Sequence, residues 1–125
     1  MIRAVSTAIA LASCAAAWPS SSPSSYGQPT VTVKNGTLQG THSATYNQDF
    51  FLGVPFAQPP VGNLRFHVPE PLNSSWTGVK QATSYAKACV GYGSDQWPYE
   101  VSEDCLYLNV VRPSNASSNL PVAVW

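Results

Sequence analysis

The chain has 125 residues, enough for one small domain and too few for two. Six Lys and Arg balance six Asp and Glu, which excludes the electrostatic footprint of a nucleic-acid binder or of a protein built for an acidic partner. Eleven prolines and eight glycines interrupt the chain too often for long helices.

Met1–Ala17 has the layout of a secretory signal peptide. Arg3 supplies the positive start, Ala4–Ala12 is apolar apart from Ser6 and Thr7, and Ala15-Ala16-Ala17 offers a small-residue cleavage site before Trp18. The stretch is too short to span a bilayer. Two other readings stay open: a buried N-terminal helix, and a lipoprotein box at Leu11-Ala12-Ser13-Cys14 that would place a lipid on Cys14. The expectation is a secreted, extracellular protein with no stable membrane anchor. Cleavage discards Arg3 and Cys14 and leaves Cys89 and Cys105. In an oxidising compartment such a pair is most simply a disulfide, two separate buried thiols being the alternative. No Cys-x-x-Cys or His-x-x-x-His occurs, and His42 and His67 stand apart, so neither a metal nor another cofactor is expected. Three sequons, at Asn35, Asn73 and Asn115, lie in polar, turn-like surroundings and agree with a eukaryotic secretory route.

Residues 18–29 are rich in Ser and Pro, cannot build a core, and read as a flexible leader. Thr30–Val33 alternates polar and β-branched residues as a strand does. Asn35-Gly36 then predicts a two-residue hairpin turn, with Thr37–Thr41 returning. A third strand is expected over Gln48–Val54, ending where Pro55 removes a donor. Phe56–Pro71, punctuated by prolines, predicts an extended, turning segment. A short helical turn is expected near Thr83–Ala88. Cys105–Val111 is the clearest strand, with Leu106, Leu108 and Val110 on one face and Tyr107, Asn109 and Val111 on the other. Pro113–Asn119 is a polar connector, and Leu120–Trp125 begins another apolar strand. Pattern alone gives a small β or α+β domain.

Three stretches carry a resemblance. Phe51-Leu52-Gly53-Val54-Pro55-Phe56-Ala57-Gln58-Pro59-Pro60-Val61-Gly62-Asn63-Leu64-Arg65-Phe66 resembles the FLGIPYAxPPVGxLRF opening of type-B carboxylesterases. Ser102–Val110 resembles their SEDCLYLNV signature, and Leu120–Trp125 the LPVMVW strand that precedes their oxyanion-hole glycines. Their order and rough spacing match, and the similarity runs from about Thr30 to the last residue.

The resemblance implies the α/β class. The fold expected is the N-terminal part of an α/β-hydrolase, a small antiparallel β region followed by the first strands of a main parallel sheet. It implies hydrolysis of carboxylic esters through a Ser-Glu-His triad, with a small-molecule or lipid ester as partner. Residues 30–125 would then be a truncated N-terminal portion of the domain. The family's G-x-S-x-G elbow, acid and His all follow the LPVMVW strand, so no catalytic residue is expected in this chain. Gly91-Tyr92-Gly93-Ser94-Asp95 is no disguised elbow, because its Ser has the wrong neighbours. Cys89 and Cys105 match the family's first disulfide, and Arg65 and Glu103 match positions that pair as a buried salt bridge in many relatives. Only Val90–Asp104 lies between the cysteines, short for a lipase lid, so the resemblance favours an esterase with a more open gorge. Trp97 precedes Cys105 much as a gorge-lining Trp does in cholinesterases. Two alternatives remain at this level: a non-catalytic, cholinesterase-like adhesion protein, and a stand-alone secreted β module that binds a partner.

Overall fold

A computed structural model describes residues 27–91, 98–116 and 118–124. The expected signal peptide, Trp97 and nearly all of the leader lie outside the described residues.

The chain opens with β1 (Thr30–Val33) and β2 (Gly36–Gln39), an antiparallel hairpin in which Val33 faces Gly36. The turn is therefore Lys34-Asn35, one residue earlier than Asn35-Gly36. Gly36 opens the returning strand at φ +148°, and packing explains the shift. A Cβ on Gly36 would come within 2.5 Å of Trp76 Nε1, so only glycine lets the indole lie across the strand. Trp76 Nε1 donates to the Thr37 carbonyl at 2.8 Å.

The expected continuous return over Thr37–Thr41 is broken at Gly40, where the chain changes sheets. β3 (Thr41–Ser43) and β4 (Gln48–Pro55) form a second hairpin, and β8 (Tyr107–Pro113) joins β4 on its other side, also antiparallel. The first sheet is completed by β5 (Val79–Gln81), which runs parallel to β2. The chain just after β5 stitches the two sheets: Ala82 N donates to Gln39 O at 2.7 Å, and Leu52 N donates to Ala82 O at 2.8 Å. At that seam sits the core, Leu38, Phe51 and Ala82, with Val31, Val54 and Trp76 packed against it.

Two further short strands, β6 (Ala88–Cys89) and β7 (Val101–Ser102), pair in parallel. The helical turn expected near Thr83–Ala88 does not form. Its backbone groups are taken by strand contacts: Thr83 bridges Leu52, and Ala88 N donates to Glu100 O. Among the described residues the helical content is one 3-10 turn, Gly62–Leu64, inside the proline-rich segment. The α/β expectation thus holds here only in its β half. The alternation expected along β8 is present in sequence but not in burial. Leu108, Val110 and Val111 are all exposed, because among the described residues no element covers either face of that strand. Residues 120–124 make no strand, having no neighbour to bond with among the described residues, and Val122 and Val124 are 85% and 91% exposed.

Candidate functional site

The first matched motif folds into β4 and its exit. β4 bends where its register with β8 shifts between Phe51 and Val54. Gly53 sits in the bend at φ +67°, and a Cβ there would meet the Ser84 carbonyl at 2.8 Å. Gly53 N donates to Asn109 Oδ1 at 2.9 Å, so the glycine of the first motif is bonded to the asparagine of the second. The bend brings residues 84–87 beside Ser102, Asp104 and Tyr107, and an open cleft lies between them. Burial pushes the Tyr107 phenol up, and its hydrogen bond to the Asp104 carboxylate and that group's charge push the same way. Asp104 N donates to Ser102 Oγ at 3.1 Å, closing the turn that leads into β8.

Cys89 and Cys105 are joined in a disulfide, their Cα atoms 5.0 Å apart. The bond ties the end of β6 to the chain just before β8 and closes a covalent ring, of which Ser102 and Asp104 line the cleft. β7 and the Lys87–Glu100 ion pair at 3.4 Å hold the base of that ring. Arg65 Nη2 lies 2.6 Å from Glu103 Oε1, with side chains 55% and 45% exposed. The burial expected for this pair is absent among the described residues. Water reaches both groups, and the pair is discounted to the ~0–1 kcal/mol of a surface bridge.

The described residues also bring a Ser, a His and an Asp together, which sequence reasoning did not anticipate. Ser114 Oγ lies 2.7 Å from Asp49 Oδ1 and 2.9 Å from His42 Nδ1, and His42 Nδ1 lies 3.1 Å from Asp49 Oδ1. The connectivity is not that of a triad. A nucleophilic serine needs one imidazole nitrogen, with the acid on the other. Here Ser114 and Asp49 share Nδ1, and Asp49 competes for the hydroxyl proton. Arg112 closes the cluster, its guanidinium donating to Asp49 Oδ2 at 3.2 and 3.3 Å. The arrangement fastens β3, β4 and β8 together. A signal was available: period-2 spacing puts Asp49 on the buried face with Phe51, and Arg112 on the register of Val110. Recognising it required knowing that β4 pairs with β8. Among the described residues no group of three His, Cys, Asp or Glu could hold a metal, and no helix is long and apolar enough to cross a membrane.

Of the remaining expected positions, Asn35 is half-buried in the first turn, while Asn73 and Asn115 are exposed in irregular segments.

The chain belongs to the carboxylesterase family, which it matches over residues 27–125. Carboxylesterase 5A of Homo sapiens is 38% identical over 86% of this chain and 21% of its own length. The cholinesterase of Mus musculus is 41% identical over 76% of this chain and 18% of its own. Among solved structures, PNB esterase is similar with a TM-score of 0.66 at 38% identity, across 76% of this chain and 19% of that one. EstA of Aspergillus niger gives a TM-score of 0.63 at 37% identity, across 73% and 17%. The chain therefore spans about a fifth of the length of these relatives.

Proposed function

We propose that this chain is the opening segment of a secreted carboxylic ester hydrolase. The complete protein would use a Ser-Glu-His triad on a small-molecule or lipid ester. The observation that carries the reading is family membership across residues 27–125, supported by the way its two motifs interlock through Gly53 and Asn109. In this reading the segment scaffolds a site and contributes no catalytic residue. The chemistry needs a nucleophile activated by a base and donors aimed at the developing oxyanion. The Ser114, His42 and Asp49 cluster is wired for structure instead. The short loop between Cys89 and Cys105 supports an esterase with an open gorge over a lidded lipase. Secretion is supported by the layout of Met1–Ala17 and by a disulfide that an oxidising compartment would preserve.

The test expresses residues 18–125 beside the same chain extended by its downstream coding sequence. Both are assayed with short-chain aryl esters. The expected result is turnover by the extended chain alone, abolished by a serine-directed organophosphate. Organophosphate-sensitive turnover by the purified 18–125 piece would overturn the assignment of a purely scaffolding role. An inactive extended chain would favour the adhesion alternative.

A further inference from the structure

Two of the three sequons meet at one corner of the molecule, and the structure treats their asparagines differently. Asn35 Nδ2 donates to the Ser74 carbonyl at 2.7 Å and to the Leu72 carbonyl at 3.3 Å. These carbonyls flank Asn73. The Asn35 carbonyl in turn accepts from Trp76 N at 2.9 Å. Both hydrogens of the Asn35 amide are thus committed to holding the 72–76 segment against the first hairpin. Asn73 is exposed, and among the described residues its side chain takes part in no hydrogen bond.

N-glycosylation joins Nδ2 to the anomeric carbon of a lipid-linked oligosaccharide. The amide loses one proton, the carbon–oxygen bond to the lipid diphosphate breaks, and the diphosphate leaves. At Asn35 this removes one of two donors in use and forces a sugar between the turn and the loop it clamps. At Asn73 it removes a hydrogen that no partner needs. We propose that Asn73 is the glycan acceptor of this corner, and that Asn35 remains a free amide clamping residues 72–76. Transfer takes place on the nascent chain, so the distinction is read in the folded, secreted product. Chains modified at Asn35 cannot close the corner and are retained.

The proposal rests on the secretory reading only for access to the glycosylation machinery. The experiment supplies that access with a heterologous leader, and a parallel arm with residues 1–17 tests the secretory reading separately. The complete protein is secreted from eukaryotic cells, and its glycans are released by an amidase in 18O-water, which marks each former acceptor as a labelled aspartate. The expected label is at position 73, with position 35 unmarked. Label at position 35 in secreted material, or none at position 73, overturns the proposal. Asn73→Gln should remove one glycan and leave secretion close to that of the parent. Asn35→Gln should leave the glycan number unchanged and cut secreted yield by roughly several-fold. An Asn35→Gln variant secreted at full yield, or one missing a glycan, also overturns it.

Discussion

Asp49 sits on the inward face of β4, two residues from Phe51, where an unpartnered carboxylate would be costly. Burial pushes its pKa up, but hydrogen bonds from Ser114, His42 and Arg112, with the Arg112 charge, outweigh that and leave it below the usual carboxylate range. The unfolded carboxyl titrates near its ordinary value of about 3.9. The stabilisation is therefore complete above that value and is lost as pH falls through the lower folded pKa. In the complete protein, Asp49→Asn should cost ~1.5–3 kcal/mol at neutral pH, the range for hydrogen bonds to a charged group. Calorimetry on acidification should show the parent losing stability faster than the variant, so that the two curves converge. Parallel curves would mean that Asp49 is not charged in the fold. At the other end of the same sheet system, Gly36→Ala should cost about 1–3 kcal/mol through overpacking against Trp76, with a change in tryptophan emission as the indole is displaced.

The Cys89–Cys105 bond is an element-scale device, tying the end of β6 to the chain just before β8. With a sequence separation of 16, it should contribute on the order of 3 kcal/mol by restricting the unfolded chain. Replacing both cysteines by serine should lower Tm accordingly, and unreduced peptide mapping should recover residues 89 and 105 in one linked fragment. Strands β1 and β8 were legible because each carries a period-2 run of four residues or more, and β4 as an apolar run that ends at Pro55. β3, β5, β6 and β7 were not, since strands of two or three residues have no period and exist only through distant partners. The hairpin turn was legible as a turn but centred one residue late, because Trp76, forty residues on, decides what Gly36 is for. The Asp49–Arg112 pair was hidden for the same reason. The disulfide was within reach of cysteine counting, whereas the exposure of Arg65 and Glu103 was not.

At the scale of the whole molecule, the described residues leave an apolar surface that a chain of this size does not cover. Leu108, Val110 and Val111 lie along the free side of the second sheet, and Val122 and Val124 follow in an unpaired extended segment. Residues 18–125 alone should therefore self-associate, seen as high-mass species in light scattering. Leu108→Lys combined with Val110→Lys should have opposite effects in two contexts. It should keep the 18–125 piece monodisperse and prevent the extended protein from folding. Improvement in both would show that nothing packs on that face. The pairing of β4 with β8 also has a consequence in time. Phe51 faces Val110, so β4 leaves the ribosome about sixty residues ahead of its partner. At ~5–20 residues per second, β4 waits roughly 3–12 s with one edge open, while its own hairpin with β3 is already available. Synthesis thus passes through an interval in which the edge of Phe50-Phe51-Leu52 that β8 will take is translated but unmated, and an attendant chaperone has that interval in which to act.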